Sequence, residues 1–226
     1  MAIRFQDYQN PALAADLVIF GWDGADLRVM LLNRAEPPFE GSWTLPGAFV
    51  RMDETLTDTC ARVLKDKLGL ANVFLEQLST FDKLDRDPRG RVVAVAYYAL
   101  INPATVSIVA GSMANDVRWM NARRLPKLGF DHRAIVKAAW ARLQGKIRYA
   151  PIGFQLLDES FTMPELHALY KCILDTEIDR RNFSRKMLSA GLVAATGELR
   201  AMGKSRPAEL FRFNKTMKDG YFNLSL

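Results

Sequence analysis

Sulfur and imidazole are scarce in this chain. Its two cysteines, Cys60 and Cys172, lie far apart and outside any Cys-x-x-Cys or Cys/His cluster, so neither a disulfide framework nor a zinc site is indicated. Both thiols are expected as small buried hydrophobes. The two histidines, His132 and His167, are equally unpaired and fall in helical stretches, where structural roles are expected. No run approaches the roughly 18 to 20 apolar residues that span a bilayer. The N-terminus, Met1-Ala2-Ile3-Arg4-Phe5-Gln6-Asp7, lacks the shape of a signal peptide. A cytoplasmic protein with no membrane partner is expected. Repeats and low-complexity segments are also missing. What remains, 226 residues with 49% hydrophobic and 25% charged side chains, suits one or two globular domains with a real core.

Acidic residues are nearly missing from the C-terminal forty positions. Between Asp179 and Lys218 stand ten cations, Arg180, Arg181, Arg185, Lys186, Arg200, Lys204, Arg206, Arg212, Lys215 and Lys218, against Asp179, Glu198 and Glu209. That segment alone holds a charge of +7 in a chain whose total is +6, so the remainder is slightly acidic. Localised positive charge is the electrostatic footprint of a surface that binds a polyanion.

Residues 15–21 and 27–32 read as strands joined near Asp23-Gly24, a strong hairpin dipeptide. A loop around Pro37-Pro38 and a short extended segment, 42–45, follow. Residues 57–68 read as a helix with Thr57 as N-cap and Gly69 as its terminating residue. Residues 73–81, 91–101 and 117–120 read as strands, the second a nearly continuous apolar run of core type. From 131 to 144 the apolar residues Ile135, Val136, Ala139, Trp140 and Leu143 recur at helical spacing. The domain boundary is expected where Gly145 and Pro151 break the pattern, giving domains 1–147 and 148–226.

The helix at 57–68 and the loop before it carry the spacing of a Nudix box, Gly-x5-Glu-x7-Arg-Glu-U-x-Glu-Glu-x-Gly-U, where U is aliphatic. Glu54, Arg62, Leu64, Gly69 and Leu70 fall on it. Ala48 replaces the opening glycine, Val63 and Lys67 replace two helix glutamates, and Asp66 shortens the remaining one. Positions 63, 66 and 67 are related as i, i+3 and i+4, so they share one helix face. Mg²⁺ needs hard oxygen ligands there to assist diphosphate cleavage. Valine offers none and a lysine ammonium repels the ion. The N-terminal part therefore resembles a Nudix-like α/β/α sandwich, of class α/β (α+β), with its chemistry spoiled. No catalytic residue, metal ligand or required cofactor is assigned.

In the second part, Thr162-Met163-Pro164-Glu165 is a capping box opening a helix to about Leu174. Asp179 caps another, which ends near Gly191, with Ile178 and Phe183 placed as a hydrophobic staple. Residues 192–195 and 210–213 read as strands around a basic loop, 196–209. Two helices and a hairpin with a basic tip make a winged helix-turn-helix. Phe183, Met187 and Leu188 are expected in the core. Arg180, Arg181, Asn182, Arg185 and Lys186 are expected to face DNA, because arginine and asparagine bond guanine and adenine edges bidentately. Lys204, Ser205 and Arg206 on the wing are expected to contact phosphate or the minor groove.

Both parts together resemble the Nudix-related transcriptional regulators, the NrtR group that controls NAD metabolism and its sugar-sensing relatives. The likeness rests on Leu45-Pro46-Gly47-Ala48-Phe49-Val50, Asp85-Arg86-Asp87-Pro88-Arg89-Gly90-Arg91-Val92-Val93, Phe130-Asp131-His132 and Asp179-Arg180-Arg181-Asn182-Phe183. It implies a bacterial homodimer that binds a palindromic DNA operator, as a repressor or dual regulator, and senses a small molecule. ADP-ribose or a related NAD metabolite is the implied effector in one group and L-arabinose in the other. Arg34, Arg51, Arg86, Arg89 and Arg91 flank the expected cleft, and guanidinium groups match diphosphate oxygens without metal. The effector-binding set is accordingly Arg34, Arg51, Glu54, Asp85, Arg89 and Arg91, with Arg62 expected to pair with Glu54 as scaffold. Phe39, Trp43 and Tyr97 are candidate stacking partners for adenine. The competing class is a Nudix hydrolase with relocated metal ligands, using Asp53, Glu54 and Asp66.

Overall fold

A computed structural model of the chain describes residues 10–70, 73–106, 114–202 and 205–217. Strands β1 (Ala12–Trp22) and β2 (Leu27–Arg34) form the expected hairpin. Asp23 closes its turn, its carboxylate accepting the N–H groups of Ala25 and Asp26 at 3.0 and 2.8 Å. With β3 (Trp43–Thr44), β4 (Gly47–Phe49), β5 (Phe74–Phe81), β6 (Val92–Leu100) and β7 (Ala114–Asn121) they build one mixed sheet. Its order is β3-β2-β1-β6-β5, with β4 also on β1 and β7 on β2. Only the β1–β6 pair is parallel among these.

The sheet is covered on both faces, and strand alternation decides which residue goes where. Leu17 and Ile19 of β1, Met30 of β2, and Val95, Tyr97 and Ala99 of β6 pack with Cys60, Val63, Leu64 and Leu68 of α1 (Leu56–Leu68). Their neighbours Val18, Phe20, Val29, Leu31, Ala96, Tyr98 and Leu100 point the other way. They pack with Ile135, Val136, Ala139 and Leu143 of α2 (His132–Lys146). The α/β/α layering follows directly. Helix α1 is capped by Thr55, not Thr57, because Asp58 three residues on completes a reciprocal capping box. Gly69 ends it in the left-handed conformation, φ 66°, as expected.

Beyond a 3-10 segment, Pro151–Leu156, come β8 (Ser160–Thr162), α3 (Met163–Leu174), α4 (Arg180–Ser189), β9 (Val193–Met202) and β10 (Ser205–Phe213). The Thr162/Glu165 capping box and the Asp179 cap both form. The wing differs from expectation. Residues 196–209 are not a loop: β9 and β10 pair almost to their tips, and β8 adds a third strand beside β10. Gly203 and Lys204, which join β9 to β10, lie outside the described residues.

The two parts share one apolar cluster, running from Val18 and Phe20 through Ile147 and Leu156 to Phe183 and Phe211. Ile147, at the expected boundary, is fully buried in it. Polar ties reinforce the junction. Trp140 and Gln144, one turn apart on α2, both donate to the Ile173 carbonyl on α3, at 3.1 and 3.0 Å. Among the described residues no helix is long and apolar enough to cross a membrane.

Candidate functional site

One edge of β1 is shared by two strands. Phe20, Gly21 and Trp22 pair with β2, whereas Ala14, Ala15 and Asp16 pair with β4. The strands diverge, and a cavity of about 280 Å³ opens between them. Gly47 is required at this split: a Cβ there would stand 2.5 Å from an Asp16 carboxylate oxygen and 2.8 Å from the Ala15 carbonyl.

Asp16 stands on the cavity floor and is met by residues from two distant segments. The buried Arg86 guanidinium donates to Asp16 at 2.9 Å and to both oxygens of Asp131 at 2.8 and 3.2 Å. Burial pulls the pKa of Arg86 down, but its bonds to Asp131 and Asp16 outweigh this and hold it above the ordinary value. Next to them the His132 Nδ1 accepts the Leu45 N–H at 2.9 Å. That bond places the ring proton on Nε2, 3.8 Å from Asp16, and burial keeps the imidazole neutral by lowering its pKa.

The mouth is aromatic and cationic. Phe130 packs against Phe39 with centroids 4.7 Å apart, and both hold left-handed backbone, φ 54° and 63°. Non-glycine residues held there mark local strain supported by their surroundings. Arg34 lies over the Phe130 ring at 5.3 Å. Arg89 lies over Phe130 at 6.0 Å and over Phe49 at 5.1 Å. Asp87 pairs with Arg89 through both carboxylate oxygens, at 3.0 and 2.7 Å, and is held below the ordinary carboxylate range mainly by that bond. Arg34 instead donates to the carbonyls of Pro38 and Pro37. Its pKa is lowered, first by burial and then by repulsion from Arg89. Arg34 thus feels the charge of Arg89 across the cavity, while the bond to Asp87 holds Arg89 itself above its ordinary value.

In the second part of the chain, Arg180, Arg181 and Arg185 are exposed on α4 while Phe183 and Met187 are fully buried. The helix contains no acidic residue. His167 fixes its approach: Nε2 bonds the Ile178 carbonyl at 2.8 Å and the ring meets Phe183 edge-on. A cationic helix after a turn, with a β-ribbon beside it, has the geometry that reads a major groove.

Comparison with known proteins matches both parts of the chain. Residues 10–139 match the NUDIX domain model, and residues 153–213 match the model of the NrtR DNA-binding winged helix domain. The chain is 35% identical over 222 residues to the ADPR responsive transcriptional repressor NtrR of Acinetobacter baylyi, covering 96% of this chain and 87% of that one. The chain belongs to the NrtR family. Shewanella oneidensis NrtR in complex with a 27mer DNA superposes with a TM-score of 0.81 at 33% identity, over 93% of this chain and 97% of that one. The isolated NUDIX domain of the same protein, crystallised with ADP ribose, matches at TM-score 0.55 and 33% identity, over 62% of this chain and 94% of that one. An ADP-ribose pyrophosphatase of Methanocaldococcus jannaschii is 32% identical over 134 residues, 59% of this chain and 76% of that one. The first part of the NrtR fold is thus shared between regulators and a hydrolase.

Within this NrtR-family chain, the cavity brings together only some of the residues expected there. Arg34 and Arg89 line it, as does Arg86, which is spent on the floor. Arg51 does not line it; its side chain is 64% exposed and reaches Glu54 at 3.6 Å. Glu54 is held by Arg62 at 2.5 and 2.8 Å and by Thr59 at 2.9 Å, which is the expected scaffold contact. The hydrogen bond from Arg62 is the main cause of its pKa falling to about 2. Asp85 is exposed and away from the cavity. Arg91 ties its own loop together through the carbonyls of Asp82 and Lys83. Of the candidate stacking partners, Trp43 and Tyr97 do not line the cavity, and Phe39 reaches it only through Phe130. Asp16 was missed from the sequence, and Phe49, Asp87, Phe130 and His132, though they stand in the segments that carry the resemblance, were given no role in the site. A single aspartate inside the apolar run of β1 was the available signal for Asp16.

On α4 of this NrtR-family chain, Asn182 and Lys186 are half-buried, and the Asn182 side-chain oxygen Oδ1 accepts from Arg185 at 2.9 Å. Leu188 is 48% exposed, so it does not join Phe183 and Met187 in the core. Arg206 is exposed on β10; Lys204 and the side chain of Ser205 lie outside the described residues. Arg200, counted in the basic stretch, is committed to Glu165 at 2.8 Å and to the Ser160 carbonyl at 2.7 Å. Cys60 is fully buried and its thiol pushed up to about 12 by desolvation, the inert state expected of it.

Proposed function

We propose that this chain is a transcriptional repressor whose NUDIX cavity binds ADP-ribose without cutting it, binding that weakens its hold on DNA. The observation that carries the ligand assignment is the convergence of Arg34 and Arg89 over Phe130. A diphosphate would relieve the repulsion that Arg34 feels from Arg89 and accept from both guanidinium groups, and the Phe130 and Phe49 rings suit a base or ribose. A neutral sugar such as L-arabinose uses neither charge. The polar floor, His132 Nε2–H and Asp16, offers a donor and an acceptor to hydroxyl groups.

Retention without cleavage rests on the box. Val63 is buried under the sheet, Asp66 points to solvent, and Glu54 is locked to Arg62. Among the described residues no three His, Cys, Asp or Glu side chains converge on a possible ion position. A divalent ion held by hard oxygen ligands does not fit that set.

Arg180, Arg181, Asn182 and Arg185 are assigned to base edges and backbone in the major groove, with Lys186, Lys204, Ser205 and Arg206 near phosphate. Two copies on a palindrome, with domains 1–147 and 148–226 as sensor and reader, make half-site spacing the regulated quantity. Helix α2 supports the coupling. Its N-cap Asp131 holds the floor residue Arg86, its first residue His132 lines the cavity, and its Trp140 and Gln144 hold α3.

The decisive experiment titrates the full chain with ADP-ribose by calorimetry in EDTA, then repeats a gel shift on a duplex selected from a random-sequence library. Metal-independent binding and release of the duplex are expected. AMP release with Mg²⁺ or Mn²⁺, at the rate of an enzyme with an intact box, would overturn the non-cutting reading. Failure to bind ADP-ribose would overturn the ligand.

A further inference from the structure

Helix α4 turns Phe183 and Met187 into the core. At about 100° per residue, the direction opposite their mean is centred near Arg185, with Arg181 one turn before it and Leu188 one turn after. All three are exposed, Leu188 by 48%. A lone exposed leucine needs no explanation. This one stands in file with two arginines on the outward stripe of a helix that has no acidic residue.

We infer that Leu188 seats against the C5 methyl group of a thymine in the major groove, and so sets a base preference beside those of Arg181 and Arg185. The inference rests on the reading that α4 enters the groove. The thymine methyl is the apolar group on the major-groove edges, and it is where an aliphatic side chain gains by contact. Leu188 lies seven residues past Arg181, about 10.5 Å along the axis at about 1.5 Å per residue. That span is about three base steps at roughly 3.4 Å each. The spacing between the arginine contacts and the methyl contact is set by the helix rise, and Asn182 Oδ1 orients the Arg185 guanidinium at 2.9 Å on the same helix. A groove edge presenting cytosine at that step has no methyl and leaves Leu188 facing a polar amine.

The test uses the full chain. A duplex is selected by it from a random-sequence library, and each thymine is replaced singly by deoxyuridine, which deletes only the methyl. One thymine position per half-site is expected where this raises Kd about fourfold, the worth of a buried methylene of about 0.8 kcal/mol. Leu188→Ala should abolish the difference between thymine and deoxyuridine there, and Leu188→Met should keep it. Both are exposed-site changes expected to leave the melting temperature unmoved. Equal deoxyuridine penalties in the wild type and Leu188→Ala, or no sensitive thymine, overturn the inference. Arg185→Ala separates the two levels. If it loses affinity while Leu188→Ala keeps every deoxyuridine penalty, only the inference fails. If it binds as tightly as wild type with the same salt dependence, the assignment of α4 fails and the inference with it.

Discussion

Replacing Arg89 by alanine removes a cation from the cavity mouth and strands its partner. The Asp87 side chain is 4% exposed and pairs with Arg89 through both oxygens. Two penalties on diphosphate binding then add. Loss of a charge-assisted hydrogen bond costs about 1.5–3 kcal/mol. A carboxylate no longer compensated repels a phosphate charge by about 2 kcal/mol for a separation of ~8 Å at an effective dielectric constant near 20. The sum, about 4 kcal/mol, is roughly a thousandfold in Kd. Adding Asp87→Asn removes the second penalty alone, so the double variant should sit only about 30-fold above wild type. Calorimetric titration with ADP-ribose in EDTA reads all three proteins. A single variant within tenfold of wild type, or a double variant no better than the single, would refute the charge argument.

Arg86→Met leaves Asp16 and Asp131 facing one another in the cavity floor, and breaking a buried pair of this kind costs about 4 kcal/mol. Scanning calorimetry should show a fall in melting temperature of about 8–16 °C, partly recovered by adding Asp131→Asn; a fall under about 3 °C would contradict it. The Glu54 carboxyl should titrate near pH 2 by carbon NMR. Its folded pKa lies below the ordinary 4.5, so its stabilising contribution is complete above that value and is lost as pH falls through about 2. A midpoint near 4.5 would deny the Arg62 bond in solution. Gly47→Ala forces a Cβ to within 2.5 Å of the Asp16 carboxylate. Urea denaturation should show about 1–3 kcal/mol of destabilisation, with ADP-ribose affinity lost; unchanged affinity would place the ligand elsewhere. Trp140→Phe with Gln144→Ala removes both bonds to the Ile173 carbonyl. The ratio of duplex affinities with and without ADP-ribose should shrink at least threefold, within the roughly 2 kcal/mol those bonds supply. A ratio unchanged from wild type would rule α2 out as the connection.

Much of the fold is legible because alternation and capping are local. The two apolar registers of β1, β2 and β6 predict two covered faces before any helix is placed. The cap of α1 was legible too, since Asp58 stands three residues after Thr55 and not three after Thr57. Periodicity fails where the width of a buried stripe matters. Phe183 and Met187 already fill the space under α4, so Leu188, one position further round, is left outside. The cavity was legible only as a surplus of arginines. Arg34, Arg51, Arg89 and Arg91 are alike in sequence, and what separates them is the nearest acceptor. Glu54 takes Arg51, and the Asp82 and Lys83 carbonyls take Arg91. The floor joins positions 16, 86 and 131 through one guanidinium, a contact no local pattern contains.

A sensor needs more than affinity, because a ligand shifts a conformational equilibrium only by its differential affinity for the two states. Here the charges at the mouth and the floor play separate parts. Arg34 and Arg89 repel one another whatever the reader does, so an anion between them raises affinity without favouring either arrangement. The floor is different. Asp131 and His132 begin α2, and they are tied to Asp16 through Arg86 and to Leu45 through Nδ1. A ligand hydroxyl that bonds Asp16 competes with its tie to Arg86, and the competition acts on the position of a helix. That helix ends against Ile173, one residue before the close of α3, and α3 carries His167, whose contacts with the Ile178 carbonyl and the Phe183 ring aim α4. Because the cluster from Val18 to Phe211 is continuous and close-packed, α2 moves as a body or not at all. On this account mouth variants such as Arg89→Ala change how much ADP-ribose is needed and leave the final extent of DNA release intact. Junction variants such as Trp140→Phe change the extent of release and leave the binding constant nearly so.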